Sequence, residues 1–410
     1  MIREALAHLI LAFSVALLPL YIRFSSGDAA RLVRDNLAIV VLGLASVLLS
    51  EKQRSIPKIA WIALSSCLFL TVVNQWEVAS INVIVQMLYI TSYACFAVKF
   101  YECFDRDKIH YILNALAIGC ILQSALAIGD YFNVHLYGET LKRIFDIKWE
   151  AYNGGGIGSG NGSLLNSNIL ASYLALTSMA LFRPKWFYFI PLAIAGLIIS
   201  NSIMGIFAFI GGALYLLNQK RRLVSKKLFY GLGVAIMTTL WIGGGFGVDN
   251  TRVKAWNRTL ENVRGFHNII GKGPGWFADK RIIASNYEEI SWANSILAVN
   301  DFSRFLDGEA FSLKVPMEGS DVVMFTQEHN EYLAVFNTFG LAGILLLFLL
   351  FKNFLNCPDS GLWPSILFVA FLNSYGHFSM HISVTAIIIV ITACICIAKG
   401  EEHVWHSYRL

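Results

Sequence analysis

Residues 328–356 of the chain read EHNEYLAVFNTFGLAGILLLFLLFKNFLN. After a polar beginning, residues 332–351 carry no charged side chain and are mostly leucine, phenylalanine and alanine. A helix needs about 20 apolar residues to cross the hydrocarbon core of a bilayer. This segment is therefore long and apolar enough to span a membrane as one helix.

The composition of the whole chain extends this interpretation. Of 410 residues, 56% are hydrophobic and 14% are charged, whereas soluble proteins have roughly 25% charged residues. Backbone inside a bilayer finds no water, so apolar runs must form helices. We predict an all-α integral membrane protein with about twelve transmembrane helices. The predicted spans are 5–23, 36–50, 57–74, 80–100, 109–131, 164–182, 186–201, 203–218, 228–246, 332–356, 362–379 and 382–398.

Lysine and arginine in the short connections predict the orientation. Basic residues concentrate on the cytoplasmic side of membrane proteins, and twelve spans place four basic connections together on one side. These connections are Glu51–Lys58, Lys99–Lys108, Arg183–Lys185 and Gln219–Lys227. The chain then divides into nine helices (1–246), a large outward loop (247–331), and three further helices with a cytoplasmic tail (332–410). We expect short helices in the large loop, because apolar residues are distributed along it.

The segment that begins at Glu328 carries the strongest chemical signal. On a helix, Gly340 returns to within about 20° of His329, and Gly343 lies about 40° to the other side. Glycines on a membrane helix allow a neighbouring helix to approach closely, which would hold the histidine at the membrane surface. Histidine suits general-base catalysis near neutral pH. The alternative is an interfacial polar residue at a helix start, beside a Glu328 that either orients the imidazole or is solvated.

The pattern of His329-Asn330, nine residues, Gly340, two residues and Gly343 resembles the signature of the O-antigen ligase family. Three further elements resemble the same superfamily, which also includes O-antigen polymerases and protein O-oligosaccharyltransferases. They are RVKAW at Arg252–Trp256, GKGPGWF at Gly271–Phe277 and NSNILA at Asn166–Ala171. The resemblance covers roughly residues 150–350.

The resemblance implies a function and a set of partners. Such ligases transfer a glycan from undecaprenyl diphosphate to the lipid A-core, on the periplasmic side of the bacterial inner membrane, in a GT-C-like fold. It implies membrane lipids as further partners, no nucleic acid, no cofactor and no metal. Its nearest rival is an O-antigen polymerase, which uses the same donor to extend carrier-linked glycan. A transporter is disfavoured, because inverted repeats and mid-span charges are lacking.

The resemblance also implies roles for individual residues. His329 would be the base that activates the acceptor hydroxyl, and Arg252 would bind the donor diphosphate. Arginine suits this task because its planar fork matches phosphate oxygens and keeps its charge. Arg258 and Arg264 are the nearest further diphosphate ligands along the chain. The supporting residues are Asn330, Glu328, Gly340, Gly343 and Asn168.

The chain departs from the family pattern in one element. Members of the family commonly have Ser-Arg-Gly in the helix after the Asn-x-Asn element, where this chain reads SNSIMG at Ser200–Gly205 and has no arginine. Another cation must take that place, or the site works with fewer. The candidates are Arg143, Arg258, Arg264, Lys272, Arg281 and Arg304.

Overall fold

The apolar runs of the sequence form α-helices in the computed structural model, as expected for backbone that must satisfy its own hydrogen bonds. The structure describes residues 2–20, 27–49, 65, 69, 81–103, 109–132, 134, 164, 166–221, 224–243, 250–274, 276, 280–285, 289–294, 322–325, 330–355, 361–375, 380 and 383–407. All structural statements below concern these residues.

The helices before the large loop are α1 (Ile2–Leu17), α2 (Gly27–Leu48), α3 (Ile81–Glu102), α4 (Ile109–Tyr131), α5 (Ser167–Ser178), α6 (Ile190–Ile199), α7 (Ile203–Arg221) and α8 (Lys226–Gly243). The loop contains α9 (Asn250–Asn262), α10 (His267–Ile270), β1 (Lys280–Ser285), β2 (Glu289–Asn294) and β3 (Val322–Phe325). After it come α11 (Glu331–Leu355), α12 (Leu362–Asn373) and α13 (Ser383–Ser407).

A helix is found at every predicted span except 57–74, which lies largely outside the described residues. The predicted break between the seventh and eighth spans is confirmed. Asn201 has a positive φ of 54°, a conformation that ends α6 and that asparagine tolerates better than most residues. The chain therefore turns between α6 and α7 rather than continuing as one long helix.

Two of the described helical segments are long and apolar enough to cross a membrane, namely Ile109–Tyr131 and Glu331–Phe348. The outward face of the second carries large apolar side chains, with Leu341, Leu345 and Phe348 each more than half exposed. Soluble proteins rarely present such a stripe to water. These two segments agree with membrane association.

Small residues allow the helices of the bundle to pack closely. A Cβ atom added at Gly205 on α7 would overlap the Cβ of Ala171 on α5, and one at Gly211 would overlap the side chain of Leu372 on α12. Small residues at crossings let membrane helices gain van der Waals contact where no hydrophobic force is available. Ala171 belongs to the Asn-x-Asn element and Gly205 to the SNSIMG element, so these two sequence elements meet at the crossing of α5 and α7.

The large loop is only partly helical. The expected short helices are present as α9 and α10, and β1, β2 and β3 form an antiparallel sheet in the order β2-β1-β3. Ile282 in the central strand lies opposite Trp292 and Phe325. This sheet was not predicted from the sequence, because its strands are short and β1 and β3 lack an alternation of apolar and polar residues.

We predict that Gly205→Ala lowers the stability of the protein, because the added methyl group must separate α5 from α7. Overpacking of this kind costs about 1–3 kcal/mol, measurable as a lower midpoint of thermal unfolding in detergent. Gly231→Ala is the matched control, since a Cβ at Gly231 on α8 meets nothing within 4 Å. Equal midpoints for the two variants would contradict the packing described.

Candidate functional site

The proposed base itself, His329, and its neighbour Glu328 lie outside the described residues. The described geometry begins at Asn330, which is buried and directly precedes α11. Its side-chain Oδ1 accepts hydrogen bonds from the backbone amides of Tyr332 (3.0 Å) and Leu333 (3.1 Å). Asn330 is thus the N-cap of α11, a position that asparagine favours. Because Asn330 directly follows His329 in the sequence, this cap fixes the backbone next to the proposed base.

The first turn of α11 is bound to the end of α12. The amide of Glu331 donates to the carbonyl of Ser374 (2.8 Å), and the hydroxyl of Tyr332 donates to the carbonyl of Phe371 (2.7 Å). The Glu331 carboxylate is buried and accepts from the amide of Met380 at 2.5 Å. A buried carboxylate must be compensated by hydrogen bonds, so these contacts fix the start of α11 firmly.

Helix α9 covers this end of the bundle with one apolar face. Ala255, Trp256, Thr259 and Val263 are buried, and α9 packs against α11. The Trp256 ring meets the Tyr375 ring edge-on, with centroids 5.5 Å apart. Tyr375 follows Ser374, the partner of Glu331, so Trp256 lies close to the start of α11.

The structure separates the three arginines predicted to bind diphosphate. Arg252 is half-buried and lies about 40° from Trp256 around α9, on the covered face. Arg258 lies about 120° from Arg252, exposed, and forms an ion pair with Glu261 at 3.0 Å. Arg264 is exposed beyond the end of α9. Arg252 therefore lies on the covered face of α9, and Arg258 and Arg264 do not.

The glycine elements meet in a backbone contact between residues 271–273 and 337–340, which we call the loop–helix contact. The amide of Lys272 donates to the carbonyl of Asn337 (2.6 Å), and that of Gly273 to the carbonyl of Thr338 (3.0 Å). Gly340 interrupts α11 with φ 62° and ψ −156°, a conformation nearly restricted to glycine. Carbonyls at the end of a helical segment lack intrahelical partners, and the loop amides supply them.

The predicted role of the two α11 glycines is thereby refined. A Cβ at Gly340 would lie 2.5 Å from the carbonyl oxygen of Ile269, so Gly340 does allow close approach, but of the short loop helix α10 rather than of another long helix of the bundle. A Cβ at Gly343 would lie 2.5 Å from the Cβ of Phe339. The absence of a side chain at Gly343 therefore leaves space for the Phe339 side chain where α11 is kinked at Gly340. The assumption of one continuous helix was wrong at Gly340.

Asn168 lies in the first turn of α5, where its backbone amide is bound by the cap of this helix. The side chain of Asn166 is the N-cap of this helix and accepts hydrogen bonds from the amides of Asn168 (2.9 Å) and Ile169 (3.2 Å). The Asn-x-Asn-x-x-Ala element thus combines a helix start with the close contact of Ala171 on Gly205. The SNSIMG element has no arginine, and its exposed Asn201 forms the turn before α7.

Sequence reasoning missed a set of residues at the end of α12. Asn373, Ser374 and Tyr375 are buried and adjoin the contacts of Glu331 and Trp256. The signal was present, because three consecutive polar residues interrupt the predicted apolar span 362–379. Among the described residues, the structure shows no cluster of three histidine, cysteine or carboxylate side chains suited to a metal ion.

We predict that Gly340→Ala destabilises the protein more than Gly231→Ala on α8 does. The alanine must adopt a strained conformation, at about 1–3 kcal/mol, and its methyl group collides with the backbone at Ile269. The thermal unfolding midpoint in detergent should fall well below that of Gly231→Ala, where the added methyl group has space. A Gly340→Ala midpoint equal to that control would show that the kink is absent.

Comparisons with protein families and with curated proteins give no match to this chain. The contacts described above, together with the motifs in the sequence, are accordingly the basis for assigning a function.

Proposed function

We propose that the protein is a multi-pass glycosyltransferase of the bacterial inner membrane that transfers O-antigen glycan from undecaprenyl diphosphate to the lipid A-core. In this proposal about twelve helices cross the membrane, both termini are cytoplasmic, and the large loop faces the periplasm. The observation that carries the proposal is the loop–helix contact. It joins the glycine-rich element of the loop to the glycine of the histidine element, two elements that resemble the ligase superfamily separately in sequence.

Arg252 is proposed as the ligand of the donor diphosphate. Its position on the covered face of α9, one turn before Trp256, supports this role, since Trp256 packs near the start of α11. A fixed cation in a partly dehydrated site stabilises a leaving diphosphate more strongly than one in water. Lys272 is the proposed second cation, because it is half-buried and its backbone belongs to the loop–helix contact.

The proposed reaction is a direct displacement. An acceptor hydroxyl oxygen attacks the anomeric carbon of the donor, and the bond from that carbon to the diphosphate oxygen breaks. His329 takes the hydroxyl proton, and the electron pair leaves on the diphosphate, whose charge Arg252 offsets. One displacement inverts the anomeric centre. The capped and hydrogen-bonded start of α11 supports this role, because a base must be held within hydrogen-bond distance of the proton it removes.

We predict that His329→Ala and Arg252→Ala each reduce transfer by about 100-fold or more, as expected for loss of a general base or of charge stabilisation. The assay uses purified protein with undecaprenyl-diphosphate-linked glycan and lipid A-core. Lys254→Ala is the matched control, because this exposed cation lies on the opposite face of α9 from Arg252. Full activity of either test variant would remove its proposed role, and chain growth on the carrier lipid without transfer to lipid A-core would identify a polymerase.

We also predict that transfer continues undiminished in the presence of a metal chelator, because arginine and lysine supply the charge that a metal would otherwise provide. The measurement is the initial rate with and without EDTA, followed by addition of Mg²⁺ or Mn²⁺. A rate that falls with chelator and recovers with a divalent cation would refute the metal-independent mechanism.

A further inference from the structure

The short helix α10 of the large loop presents apolar side chains on its surface. Phe266, the N-cap residue of α10, and Ile269 within it are each more than half exposed. The neighbouring helix α9 differs, because its exposed residues between positions 252 and 262 are all polar or charged. They are Lys254, Asn257, Arg258 and Glu261. Within residues 252–274, large exposed apolar side chains are therefore confined to α10 and its N-cap.

Helix α10 lies against α11 at the point where the exposure of α11 changes. Each of residues 330–340 is buried or half-buried, whereas Leu341 and Leu345 are more than half exposed. The carbonyl of Ile269 approaches Gly340 so closely that a Cβ atom there would lie 2.5 Å from the carbonyl oxygen. Gly340 directly precedes Leu341, so α10 adjoins the beginning of the exposed apolar stripe on α11.

This position and the nearby charge indicate what covers Phe266 and Ile269. In the proposed topology the stripe on α11 faces the lipid chains, so the surface that adjoins its beginning adjoins the lipid headgroups. Arg264, two residues before Phe266, is exposed. Segments that lie in a membrane interface combine apolar side chains, which enter the boundary of the acyl chains, with cations, which are attracted to lipid phosphates. The exposed residues from 264 to 269 have this combination.

We propose that Phe266 and Ile269 insert into the boundary between headgroups and acyl chains of the bilayer, and that Arg264 binds a lipid phosphate there. The large loop is then held at two points, by the membrane surface through α10 and by α11 through the loop–helix contact. The attachment keeps α9, with Arg252, close to the surface at which a lipid-linked diphosphate lies. This inference rests on the membrane topology of the proposed function and not on glycosyl transfer itself.

The direct test replaces Phe266 and Ile269, one at a time, with the photoreactive residue p-benzoylphenylalanine. The full-length protein is reconstituted in vesicles of phosphatidylethanolamine and phosphatidylglycerol and irradiated. Each position should form an adduct that adds the mass of one phospholipid to the protein. Leu345 is the positive control, because it lies on the apolar stripe of α11. Asn257 is the negative control, because it lies on the exposed polar face of α9, and it should form no such adduct.

The controls separate failure of this inference from failure of the proposed function. Phospholipid adducts at Leu345 but not at Phe266 and Ile269 would overturn the inference and leave the proposed topology standing. The absence of adducts at all three positions would overturn both. A crosslink from Phe266 or Ile269 to a second copy of the chain would show that a protein interface covers α10, and equal lipid adducts at Asn257 would show that the contact is not specific to α10. Either result contradicts the inference.

Amide hydrogen exchange tests whether the lipid contact holds α10 in place. In nanodiscs of the same two lipids, the double variant Phe266→Ser, Ile269→Ser should exchange the amides of residues 265–271 about tenfold faster than the wild type, because two apolar side chains lose their burial. The double variant Phe266→Leu, Ile269→Leu is the matched control and should exchange like the wild type, since leucine remains apolar. Unchanged exchange in the serine variant would show that both side chains face water, and equal acceleration in the leucine variant would show that apolar character is not what matters. Both outcomes contradict the inference, and neither depends on glycan transfer.

Discussion

The arrangement of the site depends on direct contact between two backbones, at residues 271–273 and 337–340. The contact exists because neither backbone segment carries a side chain at the point of closest approach, where Gly271 and Gly340 face each other. Both residues have positive φ, so the same glycines that allow the approach also allow the turns that create it. A side chain on either would displace the large loop from α11, and with it the neighbouring helix that carries Arg252.

The environment explains why so much of this end of the bundle is held by hydrogen bonds. Among apolar helices each buried polar group must find a partner or be costly. Gly340 interrupts α11 and so creates carbonyls without partners, which the loop amides satisfy. Asn330 does the same for amides at the start of α11, while Glu331 and Tyr332 bind to the end of α12. The segment after His329 is thereby fixed at both of its ends.

Part of this arrangement was predictable from the sequence. Helix positions followed from apolar run length, and the close approach at Gly340 followed from its residue type. The identity of the partner backbone did not, because a long-range contact between Gly271 and Gly340 leaves no periodic signal. The different positions of Arg252 and Arg258 required knowledge of which face of α9 is covered. The polar residues at 373–375 were visible as an interruption. Only the structure shows that, within the part of the chain it describes, the Asn373 and Tyr375 side chains lack partners and Ser374 has them.

That difference separates two uses of polar groups within one short segment. Ser374 is fully engaged, since its carbonyl accepts from Glu331 and its hydroxyl donates to the carbonyl of Ala370 at 2.8 Å. Asn373 and Tyr375 flank it, are equally buried, and would cost the fold less as leucine and phenylalanine. Among the described residues, this short segment therefore combines one polar residue that joins α11 to α12 with two whose side-chain polar atoms have no partner.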